Sequence, residues 1–449
     1  MADTRMTSRA DWVDYLETAW HDAFADATHI EVALSGGVDS VCLTWLLADL
    51  AKRRGLRLSA VHVNHQLNLR ATDWQEFCQW LCSTLRIPLR TAKVDINWGG
   101  GDSLEAEARQ ARYQVFADSQ ADVLALAHHA DDQAETVLLQ LLRGAGPHGL
   151  AAMPWIRRLT DATQLWRPLL GVTREHLEAL ATAEDWIWVE DDSNEDTKLR
   201  RNFLRHDILP RLATRYPDYR EHLLRSIRRA ADAAALLDEM AASDLELMVG
   251  ADSSLDLDML AGVSLPRARN ALFAWVEERG GMLGPDALDD ALVQLLDAAP
   301  DANPMIDVGI WQLTRYRQRA YLIRPFSVPT TAVAFEFQPT QLTLDFPDWG
   351  GRLRFNPVAG GGLSQVALTG ELTLRPRQGG ESLPQRGVSK TLKNLMQEAG
   401  MPPYRRERLP LIYQADTLLA APGAGINTDL MAVEPDTGYL PVWLPYDGY

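Results

Sequence analysis

Cysteine is scarce in this sequence: Cys42, Cys78 and Cys82 are the only three in 449 residues. Three thiols cannot make the bridge framework of a small secreted domain, and a four-thiolate zinc site is out of reach. Cys78 and Cys82 fall on one face of an expected helix, where they read as core packing. No run of about 18 apolar residues occurs, and the polar stretch 1–9 lacks the apolar segment of a signal peptide. A soluble, cytoplasmic protein with no membrane partner is expected. Internal repeats and low-complexity tracts are missing too, which argues against repeat architectures.

Basic residues are in deficit overall, with 44 Lys and Arg against 61 Asp and Glu, and the net charge of −17 argues against a nucleic-acid partner. Their distribution argues the other way. Lys198, Arg200, Arg201, Arg205, Arg211, Arg215, Arg220, Arg225, Arg228 and Arg229 crowd one region, and Arg375, Arg377, Arg386, Lys390, Lys393, Arg405, Arg406 and Arg408 another. Each run is either a solvated helix face or a phosphate track.

The length is that of roughly three domains, and an apolar content of 46% is that of an ordinary globular protein. Ser35-Gly36-Gly37-Val38-Asp39-Ser40 stands where an expected strand (29–34) gives way to an apolar-faced helix. Two glycines let the backbone turn sharply, and the helix N-terminus offers N–H groups to an anion. Ser35 and Ser40 add hydroxyls. Asp39 tolerates a phosphate only with a cation between them. No Lys follows the last glycine, so this is not a Walker loop. The stretch resembles the PP-loop of the ATP pyrophosphatase superfamily, which splits ATP into AMP and pyrophosphate while adenylating a carbonyl oxygen.

Strands and helices alternate up to about residue 213: strands at 58–63, 89–96 and 122–127, helices at 73–85, 103–117 and 132–142, then a helix at 173–184 and a strand at 186–189. That order implies a doubly wound parallel sheet, with ligands beyond the carboxyl ends of its strands. One such end supplies His128-His129-Ala130-Asp131-Asp132-Gln133-Ala134-Glu135-Thr136. Asp132 and Glu135 share a helix face, and with Asp39 alongside, oxygens from two loops are placed to hold Mg²⁺ against a triphosphate. Two acidic helix caps are the plainer alternative. Arg109 and Arg112 lie on one face of their helix, suited equally to phosphate contact or to pairing with neighbouring Glu.

The ordered set SGGVDS, SLEAEARQARY, HHADDQAET, LLRGAG, RPLL and EDDSNEDTKLRRNFLRHDILP resembles the bacterial tRNA(Ile)-lysidine synthetases, densely over about 25–215 and again near the C-terminus. The resemblance implies a PP-loop catalytic domain (1–213), a helical substrate-binding domain (214–330) and a small α+β tRNA-binding domain (331–449). It implies ATP-dependent ligation of free L-lysine to carbon 2 of the wobble cytidine of tRNA(Ile) CAU, through an adenylated tRNA. Residues 35–40, Arg112 and His128 would then bind ATP, and Asp39 with Asp132 Mg²⁺. Asp131, Asp191 or Asp192 would bind lysine or take its proton. Glu135, Arg201, Asn202 and Arg205 fall to phosphate or lysine, and Arg375, Lys390 and Lys393 to tRNA. Where the family often has glycine, this chain has Gln66. A tRNA thiolase, a small-molecule amide synthetase and a tRNA-binding scaffold with an inactive loop are the alternatives. Oligomeric state, including a homodimer, is left open.

Overall fold

The computed structural model describes residues 6, 8–66, 70–94, 104–190, 200–299, 302, 304–327 and 329–446. The chain divides into two compact units, Met1–Leu236 and Leu237–Tyr449.

The first unit is built on a six-stranded sheet of order β3-β2-β1-β4-β6-β5. Its strands are β1 (His29–Ala33), β2 (Arg57–Asn64), β3 (Leu89–Lys93), β4 (Val123–Ala125), β5 (Ile156–Arg158) and β6 (Gln164–Trp166). The described pairings are parallel except the edge pair β5·β6, which is antiparallel. Around it run α1 (Arg9–Ala23), α2 (Val38–Arg54), α3 (Ala71–Leu85), α4 (Leu104–Ala117), α5 (Ala130–Leu142), α6 (Pro147–Leu150) and α7 (Arg174–Ala183). The period of two along β4 shows why both faces are covered. Val123 and Ala125 enter a core with Leu16, Trp20, Leu43 and Leu47 of α1 and α2, whereas Leu124 enters another with Val115 and Phe116 of α4.

The parallel sheet expected from sequence is present, with two differences in detail. Residues 186–189 form no strand; Trp186 stacks on Trp45 at 5.6 Å and Val189 N donates to Gly36 O at 3.0 Å, so this apolar run covers the glycine loop. The strand beyond β4 is instead β6, three residues long.

After β6 and α7 the chain continues through α8 (Arg200–Phe203), a π-turn (Leu204–Ile208), α9 (Leu209–Arg215) and the 30-residue α10 (Tyr219–Met248). Leu209 and Tyr219 pack with Ala134 of α5, which fixes this segment against the helix that follows β4.

The second unit contains helices α11 (Leu257–Ala261), α12 (Leu265–Glu277) and α13 (Pro285–Asp297), in keeping with the helical domain expected there. It also contains a four-stranded sheet not anticipated there: β7 (Leu255–Asp256), β8 (Met305–Val308), β9 (Trp311–Tyr316) and β10 (Arg319–Ile323), in the order β7-β10-β9-β8. Leu313, Ala320 and Leu322 of that sheet share one core with Leu272 and Trp275 of α12. Beyond it lie further β-sheets, of five, four and two strands, and the short helices Leu392–Glu398 and Pro403–Arg408.

Candidate active site

At the centre of the sheet β1 leads back to β2 on one side, while β4 lies on the other. Such a reversal of strand order leaves a crevice beyond the carboxyl ends. The loop 35–40 leaves β1 here and 128–132 leaves β4.

The first loop is shaped by Ser40. Its Oγ accepts from Ser35 N at 3.2 Å and Gly36 N at 3.1 Å, lies 3.1 Å from Ser35 Oγ and donates to Gly37 O at 2.9 Å. Gly36 has φ +97°, and a Cβ there would lie 2.8 Å from Val189 Cγ2, so both backbone and space require glycine. Gly37 caps α2 without a side-chain bond, so Val38 and its successors present first-turn N–H groups to an anion.

Asp39 sits in that first turn. One of its oxygens, Oδ1, is buried without a partner, and burial raises its pKa against the opposing pull of His129 and Arg174. An unpartnered carboxylate oxygen beside a phosphate-shaped loop fits a cation such as Mg²⁺, which takes one or two carboxylates and completes its shell with phosphate and water. Among the described residues no cluster of three metal-ligating side chains exists.

From the other loop, His129 Nε2 lies 3.6 Å from Asp39 Oδ2 and 3.5 Å from Asp132 Oδ2. His129 also caps α5: its N–H donates to Asp132 Oδ2 at 3.0 Å and its Nδ1 accepts from Asp132 N at 3.4 Å. Burial alone would raise the pKa of Asp132, but His129, Arg201 and His128 hold it well below the usual range. His128 is pushed down to about 3, chiefly by burial, and its Nδ1 has no partner. His129, which sequence reasoning quoted without a role, thus joins the two loops. Its signal was its place directly after β4.

Glu135 is fully buried and accepts Arg201 Nε at 2.7 Å, Arg205 Nε at 2.6 Å and Arg205 Nη2 at 3.2 Å. Both guanidiniums also reach Asp132 Oδ1, at 3.2 and 3.4 Å. Two carboxylates and two arginines therefore clamp α8 and the π-turn onto α5. Asn202 is buried between them in sequence. Asp131 is committed elsewhere: its Oδ2 accepts Arg174 N at 2.9 Å and its Oδ1 pairs with Arg220. Arg112 donates to His65 Nε2 at 3.3 Å. Asp191 and Asp192 lie outside the described residues.

All three cysteines are buried, with burial raising each thiol, Cys78 and Cys82 to about 12. None offers a thiolate to this crevice.

Sequence comparison finds three family regions along the chain. The PP-loop domain family matches residues 13–212, the TilS substrate binding domain 255–321 and the TilS substrate C-terminal domain 372–443. A tRNA(Ile)-lysidine synthase of Chromobacterium violaceum is 43% identical over 436 residues, 96% of this chain and 99% of that protein. The chain belongs to the tRNA(Ile)-lysidine synthase family. The Coxiella burnetii member is 40% identical over 87% of this chain and 88% of its own, and that of Nitrosomonas europaea 38% over 99% and 98%.

In this tRNA(Ile)-lysidine synthase family member the remaining candidates lie in the second unit. Arg375 stacks on Tyr413 at 4.7 Å and donates to Thr373 Oγ1 at 3.1 Å. Lys390 pairs with Glu398 at 2.9 Å, and Lys393 is exposed. No helix among the described residues is long and apolar enough to cross a membrane.

Proposed function

We propose that this protein ligates the ε-amine of free L-lysine to carbon 2 of the wobble cytidine of tRNA(Ile) CAU, consuming ATP and giving lysidine, AMP and pyrophosphate, so that the anticodon reads AUA instead of AUG. The observation that carries the reading is the unpartnered Asp39 Oδ1 beside a Ser40-organised glycine loop, at the point where strand order reverses. Similarity to tRNA(Ile)-lysidine synthases along 96% of the chain supplies the substrate class.

An oxygen on a pyrimidine carbon is a poor leaving group, and adenylation remedies this. The cytosine O2 attacks the α-phosphorus and the bond to pyrophosphate breaks. The lysine nitrogen then attacks carbon 2, and the C–O bond breaks to release AMP carrying that oxygen. The N–H groups of residues 38–40 and the hydroxyl of Ser35 receive the departing pyrophosphate. Asp39, with Asp132 beside it, would hold Mg²⁺, which bound there would offset charge on the phosphates. His129 keeps the two carboxylates at a fixed spacing. Arg112 and His128 stand at the same crevice for the nucleotide.

Lysine arrives as an ammonium and must lose a proton before it attacks. Asp131, which already accepts Arg174 N and pairs with Arg220, Asp191 and Asp192 are the carboxylates we assign to binding that amine or taking its proton. Arg201 and Arg205 act through the clamp, setting the position of Asp132, and are the arginines we assign to substrate phosphate or to the lysine carboxylate. The basic side chains of the second unit, Arg375, Lys390 and Lys393 among them, take the tRNA. A thiolase reading lacks a thiolate, since every cysteine is buried. Pyrophosphate release by the purified protein that needs both tRNA(Ile) CAU and ATP tests the first step; release without tRNA, or none at all, would contradict it.

A further inference from the structure

One group of charges is left without a task. Arg167 follows β6, and its side chain is buried although none of the described carboxylates pairs with it. Its Nη1 donates to Pro154 O at 2.8 Å and its Nη2 to Tyr113 Oη at 3.2 Å, while its Nε is buried without a partner. Tyr113 Oη also accepts from Arg109 Nη2 at 3.4 Å. The guanidiniums of Arg109 and Arg157 lie 5.1 and 4.9 Å from the centre of the same ring. Three arginines thus surround one phenol, and among the described residues no carboxylate balances them.

A buried cation is ordinarily paired, because desolvating it otherwise opposes folding. An apolar residue after β6 would serve the fold better. The arrangement is therefore suited to an anion that comes and goes. Burial would raise the pKa of Tyr113, yet Arg109 and Arg167 hold it below its ordinary value.

The form of the patch indicates which anion. Arg109 and Arg157 are exposed on an open surface rather than enclosed. Trp155, whose carbonyl accepts Arg167 N at 2.8 Å, is 41% exposed beside them. Exposed aromatic surface interleaved with arginine suits single-stranded RNA, whose bases stack while its phosphates pair. β6 lies two strands from β1, about 10 Å from the glycine loop at the usual strand spacing. Arg109 and Arg167 both act electrostatically on His128 at the rim of that crevice.

We propose that Arg109 and Arg157, seated on Tyr113 and backed by the buried Arg167, bind a backbone phosphate of the substrate RNA close to the base that enters the crevice, with Trp155 offering a stacking face. The identity of that RNA rests on the tRNA reading above; the patch itself is tested by binding alone. The experiment measures dissociation constants of the full-length protein for tRNA(Ile) CAU transcript across a KCl series, with no lysine present, for wild type and for the double variant R109A/R157A. Both side chains are exposed, so the thermal midpoint should hold. The expected result is roughly tenfold weaker binding near 0.1 M salt and a log–log salt slope shallower by about 0.7, the value for one phosphate contact on a single strand, with the KM for ATP in pyrophosphate release unchanged. R109K/R157K should recover part of both. Unchanged affinity and slope would overturn the proposal. So would a raised KM for ATP with unchanged RNA affinity, which would give the patch to the nucleotide. Failure of wild type to attach lysine would count against the function and leave the binding comparison intact.

Discussion

The clamp around Glu135 makes a quantitative demand on the protein. Its carboxylate is fully buried, and three N–H contacts of 2.6 to 3.2 Å from Arg201 and Arg205 end on it. Glu135→Gln preserves shape and removes the charge, leaving two guanidiniums to share Asp132 alone. Hydrogen bonds to charged groups contribute about 1.5 to 3 kcal/mol each, but those on one carboxylate do not add. Breaking a buried pair by removing one partner costs about 3 to 5 kcal/mol, and that is the expected loss. At about 2 to 4 °C per kcal/mol for a unit of this size the midpoint should fall by roughly 6 to 20 °C. Urea unfolding with unchanged m-value is the assay. The triple variant E135L/R201M/R205L removes all three charges together and should recover much of the stability while remaining inactive. A loss below about 1 kcal/mol for Glu135→Gln, the level of an exposed ion pair, would refute the view that this clamp holds α8 and the π-turn on α5.

Gly36→Ala places a methyl group 2.8 Å from Val189 Cγ2 at a φ of +97°, and should destabilise by about 1 to 3 kcal/mol and raise the KM for ATP; wild-type values in both would show that the loop relaxes freely. Gln66 has φ +54°, in the left-handed region that favours glycine, so Gln66→Gly should gain about 0.5 to 1 kcal/mol, read as a higher thermal midpoint. His65 is pushed down to about 4 by burial and by Arg112, so it is neutral in the fold and takes up a proton near 6.5 when unfolded. The unfolded chain then binds more protons between these values, and stability should fall as pH drops from 6.5 towards 4. His65→Gln should flatten that part of the profile, and an unchanged slope would contradict the assignment.

The central strands were legible because β1, β2 and β4 are short apolar runs that end in glycine, histidine or acidic loops. The same signal misled at 186–189, where alternating Trp, Ile and Val serve to cover Gly36 rather than to pair in the sheet. β6 escaped because Gln164, Leu165 and Trp166 are too few to show a period, and their strand character comes from pairing with β4. The sheet β7 to β10 was hidden for the same reason: its strands are two to six residues long and draw their stability from α12. Asp39, Asp132, Glu135, Arg201 and Arg205 could be picked out as candidates from their types and places. What Arg201 and Arg205 touch could not, because Glu135 lies 66 and 70 residues away and only the packing of α9 and α10 on α5 brings them together. Arg167 illustrates the opposite case, a residue visible within the motif RPLL whose burial no local pattern reports.

The most direct test of the account is incorporation of radiolabelled lysine into tRNA(Ile) CAU transcript by the purified protein, with ATP and Mg²⁺ present or omitted. The account predicts label that requires both and that Asp39→Ala abolishes without lowering the thermal midpoint. Label that survives Asp39→Ala, or tRNA-dependent pyrophosphate release with no lysine attached, would contradict it.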